Sequence, residues 1–220
     1  MFTRDGTLSR IKESGVVAII RMSDSRKVIE IAKALRKGGI RCIEIPMTVP
    51  NALDIIKNTT YDKNFDFVIG AGTVLDVETA RAAILAGAEY IVGPNTNFDV
   101  IEVCKRYTKV VIPGALTPTE ILNAWEAGAD IVKVFSARFF GPKYFSDLKG
   151  PYPQIDLMPT GGVRVDNAAD FIHAGACAVT IGRDLLDKKA IAEGNFNVVT
   201  ERAKELIKNI MGAKEKIEIN

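Results

Sequence analysis

Apolar residues along this chain gather into short runs separated by stretches of helical period. The runs cover 15–21 (GVVAIIR), 41–47 (RCIEIPM), 67–73 (FVIGAGT), 90–94 (YIVGP), 110–115 (VVIPGA), 131–137 (IVKVFSA), 157–161 (LMPTG) and 178–182 (AVTIG). They are apolar on both sides rather than cleanly alternating, which is the mark of parallel strands covered on both faces. Between them, SRKVIEIAKALRKGG spaces Val28, Ile31, Ala32 and Leu35 on one helical face. TPTEILNAWEAG opens with Thr117 and Glu120 at capping-box spacing and carries Pro118 at the first helical position. DNAADFIHAG and NVVTERAKELIKNIMG read as further helices, and LSRIKESG predicts one more ahead of the first strand. Four segments share a plan: KGGIRCIEI, LAGAEYIVG, EAGADIVKV and HAGACAVTI. Each reads as a helix that closes at a glycine and turns into a strand.

Eight strands alternating with helices predict one (β/α)8 TIM barrel domain over residues 1–220, with an extra N-terminal helix. A doubly wound open sheet is the rival. It usually has fewer strands and often a glycine-rich first strand–helix turn, whereas the turn here reads RMSDSR. No linker or low-complexity stretch interrupts the pattern.

Composition narrows the classes. Hydrophobic residues make up 47% and charged residues 25%, and the net charge is +2 with the basic residues scattered. That balance favours neither a nucleic-acid partner nor a membrane surface. The three cysteines, Cys42, Cys104 and Cys177, have neither metal-ligand nor disulfide-framework spacing, and a cytoplasmic protein is expected. With His173 as the single histidine, a histidine-rich metal site is excluded. His173 falls in the helix before the last strand and is expected to be structural.

In a barrel of this type the chemistry lies at the C-terminal strand ends. That rule selects Arg21, Glu44, Thr48, Thr73, Pro94, Lys133, Thr160, Gly161, Gly162, Gly182 and Arg183. Lys133 stands out because it interrupts an apolar strand. Period-two alternation puts it on one face with Ile131 and Phe135, and puts Glu44 on one face with Cys42 and Pro46. If both faces point inward, the two charges look at each other across the barrel. The structural alternative is a buried ion pair, which seldom adds stability over an apolar replacement. A lysine at about 10.4 is neutral in only about one molecule in a thousand near neutrality. Burial lowers that value and makes the amine a nucleophile toward a ketone, with a carboxylate beside it to move protons.

The remaining signals are weaker. PTGGV at 159–163 offers backbone amides where barrels commonly bind phosphate, and Gly182 lies beside it in the next loop. GAGTV at 70–74 has only part of a dinucleotide loop's spacing. Arg21 is either a carboxylate clamp or a solvated strand end. Cys42 has no histidine placed to activate it.

The segments GGIRCIEIPMT, GAGTVL, GPN, VIPGALTPTEI, GADIVKVFSA and MPTGGV resemble, in order and spacing, the 2-keto-3-deoxy-6-phosphogluconate aldolase / 4-hydroxy-2-oxoglutarate aldolase family, from about residue 8 to 210. The resemblance implies a class I aldolase on a (β/α)8 barrel that works without metal or other cofactor, usually as a homotrimer. It would cleave 2-keto-3-deoxy-6-phosphogluconate to pyruvate and glyceraldehyde 3-phosphate. It also implies that Lys133 is the Schiff-base lysine and Glu44 the general acid/base. Arg21, Thr48 and Thr73 match positions near the pyruvyl carboxylate, and Pro94 and Phe135 match pocket walls. Thr160, Gly161 and Gly162 match the phosphate loop. Three departures bear on substrate choice: Thr48 replaces an arginine common in the family, Val-Phe-Ser follows Lys133, and Arg183 stands where many members carry a serine. The competing readings are a relative acting on 4-hydroxy-2-oxoglutarate or 2-keto-3-deoxy-6-phosphogalactonate, a phosphosugar isomerase or synthase barrel, and an inactive sugar-phosphate-binding barrel.

Overall fold

A computed structural model describes residues 2–22, 24–61 and 66–219. Its elements are α1 (Arg4–Ser14), β1 (Val16–Ile19), α2 (Ser25–Lys37), β2 (Cys42–Pro46), α3 (Ala52–Tyr61), β3 (Val68–Gly72), α4 (Val77–Ala86), β4 (Tyr90–Val92), α5 (Phe98–Arg106), β5 (Val110–Ile112), β6 (Gly114–Ala115), α6 (Pro118–Glu126), β7 (Val132–Phe135), α7 (Gly141–Lys149), β8 (Leu157–Thr160), α8 (Ala168–His173), β9 (Val179–Ile181), α9 (Lys188–Ala192) and α10 (Asn197–Ile219). A short 3₁₀ turn, Ala137–Phe139, links β7 to α7.

All strand pairs are parallel, in the order β5-β4-β3-β2-β1-β9-β8-β7-β6. The expected 110–115 strand is therefore two segments. Pro113 interrupts it because proline has no amide to give to a ladder. Its carbonyl still accepts from Lys133 N at 2.9 Å, so β5 and β6 are two halves of one stave, and the sheet closes as an eight-stave barrel. The strands are otherwise one to three residues shorter than the apolar runs predict. The extra N-terminal helix is present. The capping box of α6 forms as expected, with Glu120 N donating to Thr117 Oγ1 at 3.3 Å and Thr117 N donating to Glu120 Oε2 at 2.8 Å. The glycines of the four helix-to-strand steps, Gly39, Gly87, Gly128 and Gly175, all have φ near +100°, the left-handed closure that their repeat predicts.

Two apolar cores result. The outer one joins helices to the outward strand residues, such as Ile43, Ile45, Val132 and Val134. The inner one fills the barrel with Val17, Cys42, Val68, Tyr90, Val92, Ile112, Ile131, Met158 and Ala178. Extending the observed pairings once round the sheet from Glu44 returns to the β2 line at position 36, eight residues from the start. This is the shear of 8 that stacks inward side chains in layers of four from alternate staves. The lower layers are Cys42, Tyr90, Ile131 and Ala178, then Val17, Gly70, Ile112 and Met158. Above them come Glu44, Val92, Lys133 and Thr180, then Ile19, Gly72, Gly114 and Thr160.

Helix α1 stops the lower end. Ile11 is buried in the inner core, with Phe2 and Leu8 packed against it. Its polar groups meet acids standing at the feet of four staves. Arg4 pairs with Asp130 and Lys12 with Asp156, Arg10 lies 3.6 Å from Asp66, and Glu89 accepts from Phe2 N and Thr7 Oγ1, both at 3.3 Å.

Candidate active site

The change from apolar to polar layers places a charged centre below the upper mouth. Glu44 is 1% exposed and Lys133 5% exposed, so both are taken out of water. They face each other in one layer, yet no hydrogen bond or ion pair joins them among the described residues. Glu44 Oε2 has no partner at all. The alternative of a structural ion pair is therefore not realised, and a gap separates the groups. Lys133 Nζ lies 5.3 Å from the centre of the Phe135 ring.

Burial raises the Glu44 carboxyl above its ordinary value, partly offset by the positive charges of Lys133 and Arg21. Burial lowers the Lys133 ammonium, with Glu44 opposing that shift and Arg21 reinforcing it. Both shifts favour the neutral forms. The arrangement offers an amine and a proton carrier in one dry layer.

The layer above explains how the carboxylate fits. Gly72 lies over Glu44, and a Cβ there would overlap Glu44 Oε1. Gly70 performs the same service for the ring of Tyr90, whose hydroxyl donates to Ile43 O at 2.6 Å. The glycines of GAGTV thus make room inside the barrel, and their partial likeness to a dinucleotide loop has no structural counterpart. Thr73, next in the chain, has φ +56°. That conformation is costly for a β-branched residue, and such strain is concentrated at functional sites.

The other candidates surround the mouth. Arg21 is exposed beyond β1, but its charge reaches both Glu44 and Lys133. Thr48 is exposed in the turn after β2, Thr73 and Pro94 are half-buried, and Phe135 is exposed at the end of β7. Thr160 is buried at the top of β8, with its hydroxyl unpartnered. Gly161 and Gly162 have φ of +89° and +80°. Side chains there would press on Ser136 Oγ at 2.5 Å and Arg138 Cα at 2.9 Å. Asn167 braces this turn, donating to Gly162 O at 3.1 Å and accepting from Arg164 N at 2.8 Å. Asp184 joins it to the next loop by accepting from Val165 N at 2.9 Å. Gly182 is half-buried beside it, and Arg183 is exposed with no hydrogen bond or ion pair among the described residues. The amides of Gly161 and Gly162 donate to no other described residue.

Two candidates stand apart. His173 is exposed on the last turn of α8. Cys42 lies two layers below Lys133, and burial pushes its thiol up to about 12, so it is inert at neutral pH. Among the described residues no cluster of three or more His, Cys, Asp or Glu side chains could hold a metal ion, and no helix is long and apolar enough to cross a membrane. One inward residue of the charged layer was not singled out by the sequence. Thr180 is 2% exposed and its hydroxyl, like that of Thr160, has no partner. Threonine is so ordinary in strands that only the layer reveals it.

Sequence and fold are both similar to those of named proteins. The sequence model of KDPG and KHG aldolases matches residues 8–202. The 2-dehydro-3-deoxy-phosphogluconate aldolase of Treponema pallidum (strain Nichols) is 33% identical over 94% of this chain and 97% of its own. The 2-dehydro-3-deoxy-6-phosphogalactonate aldolase of Escherichia coli (strain K12) is 35% identical over 77% of this chain and 83% of its own. A solved structure described as native KDPGal superposes with a TM-score of 0.84, at 30% identity, over 91% of this chain and 96% of that one.

Proposed function

The chain belongs to the KDPG and KHG aldolase family, and on that premise we propose that this aldehyde-lyase cleaves 2-keto-3-deoxy-6-phosphogluconate through an imine on Lys133. The observation that carries the reading is the buried layer in which Lys133 and Glu44 face each other without pairing. Neutral Lys133 Nζ adds to the C2 keto carbon, and the carbinolamine loses water to give a protonated imine. Glu44 takes the proton of the C4 hydroxyl, the C3–C4 bond breaks, and glyceraldehyde 3-phosphate leaves. The bonding pair passes into the enamine. Glu44 then returns its proton to C3, and water releases pyruvate and regenerates the amine. Arg21 supplies the cation for the pyruvyl carboxylate, with Thr48 and Thr73 beside it. Pro94 and Phe135 form walls. The braced turn that follows Thr160 presents the free amides of Gly161 and Gly162 to the phosphate dianion, with Gly182 allowing close approach. A homotrimer is part of the same proposal.

A coupled pyruvate-release assay over phosphorylated and unphosphorylated 2-keto-3-deoxy acids tests the substrate class. The 6-phosphorylated gluconate series is expected to lead in kcat/KM. Arg183→Ser should lower its ratio over the unphosphorylated compound, because a cation at that loop makes charge-assisted bonds to phosphate. A wild-type ratio near one would overturn the phosphate reading. Preference for the C4 epimer or for 4-hydroxy-2-oxoglutarate would move the chain to the other named branches with the same chemistry.

A second prediction tests the positioning of the carboxylate. Gly72→Ala should displace Glu44, because the added methyl occupies the place of Oε1. Turnover should fall by roughly 10²-fold, the scale of a lost general acid/base, while circular dichroism still reports a folded barrel. Unchanged kcat in a folded Gly72→Ala protein would mean that Glu44 need not stand where it does.

A further inference from the structure

The charged layer has a fourth member. Thr180 comes from β9, two staves from Lys133, and its register partner on β8 is Thr160 in the layer above. Alternation turns both side chains inward, since Ala178 and Met158, two residues earlier, belong to the inner core. Both hydroxyls are more than nine-tenths buried and unpartnered, and so is Glu44 Oε2. They are the three unpartnered buried side-chain polar atoms among the described residues, and all belong to two adjacent layers at one end of the barrel. Valine would fill either threonine site without leaving a hydroxyl unpaired in the core, which is costly. The two orphaned hydroxyls thus lie in the layer of Lys133 and the layer directly above it.

We infer that Thr180, with Thr160, holds the oxygen that leaves the substrate's keto carbon as the imine forms. The inference rests on the lysine-imine reading. The amine adds to C2, the keto oxygen becomes the carbinolamine hydroxyl, and protonation by Glu44 releases it as water. Thr180 Oγ1 donates to that oxygen as it departs and orients the water that later attacks the pyruvyl imine. No atom is consumed at Thr180, and its hydroxyl serves in both directions. Because the departing oxygen is common to all 2-keto acids, Thr180 acts on the pyruvyl half and not on the choice of aldehyde.

The test uses pyruvate alone. Exchange of its keto oxygen with ¹⁸O-water, measured by mass spectrometry above the uncatalysed background, reads carbinolamine and imine turnover directly. Thr180→Val should slow the enzyme-catalysed exchange by about tenfold, the scale of one hydrogen bond. Thr180→Ser, which restores the hydroxyl, should remain within about twofold of wild type. The thermal midpoint of Thr180→Val should be equal to or above that of wild type, since a buried unpaired hydroxyl has gone. Exchange by Thr180→Val within twofold of wild type overturns the inference. So does equal loss in both variants with a lowered midpoint, which would mark a packing role. Borohydride treatment of the wild-type protein with pyruvate separates the two levels: no adduct on Lys133 sinks the imine reading itself, whereas an adduct with unchanged exchange in Thr180→Val sinks this inference alone.

Discussion

Incubation with pyruvate and borohydride will fix a reduced three-carbon adduct on Lys133, and Lys133→Arg will turn over no substrate. The amine occupies a layer where burial holds its pKa below the ordinary lysine value of 10.5, so its neutral form is present at lower pH than on a solvated lysine. The sign follows from the amine: kcat/KM should rise with pH as Lys133 loses its proton, and that limb should lie below 10.5. Arginine keeps the charge, but its guanidinium stays protonated at every working pH and cannot form the imine. The expected loss is therefore complete rather than partial. Peptide mass spectrometry that found the adduct on another lysine, or none at all, would remove Lys133 from the mechanism.

Glu44→Gln is expected to lower kcat by at least roughly 10²-fold, the loss typical of a removed general acid/base. The substitution keeps the shape under Gly72 and deletes only the titratable group. Burial raises the Glu44 carboxyl, which suits a group that must accept a proton at one step and return it at the next. Two signatures separate this from a packing effect. Trapping of the pyruvate imine should slow along with cleavage, because both carbinolamine dehydration and removal of the C4 hydroxyl proton pass through Glu44. The limb of the pH profile that belongs to the carboxyl should also vanish. Cleavage within a few-fold of wild type would leave Glu44 with a structural role only.

The barrel was readable because its strands are covered on both faces and its helices are marked at their ends. Alternation within IVKVF and CIEIP was enough to turn Lys133 and Glu44 to the same side, since period two leaves no other choice once Ile131 and Cys42 point inward. What escaped depends on neighbours remote in sequence. Pro113 reads as part of one apolar run, and only the pairing shows it splitting a stave. Gly70 and Gly72 read as the remnant of a nucleotide loop, because their true reason lies in Tyr90 on the next stave and Glu44 on the previous one. Asp66, Glu89, Asp130 and Asp156 resemble ordinary turn residues ahead of strands, and no local pattern announces that one helix meets all four. Thr180 carries no sequence signal of its own. The layer it shares emerges only when the registers are followed round the closed sheet.

The packed lower layers, stoppered by helix α1, make the upper barrel a blind-ended well. With those layers packed and the acid feet below them pinned to the helix, the charged layer is reached only from the mouth. In the proposed cleavage the pyruvyl half is tethered at the bottom while the aldehyde half lies toward the mouth. The aldehyde must then depart before pyruvate can be released, and in the direction of bond formation pyruvate must enter first. An aldehyde that arrives early does not wait beside the lysine; it blocks the passage to it.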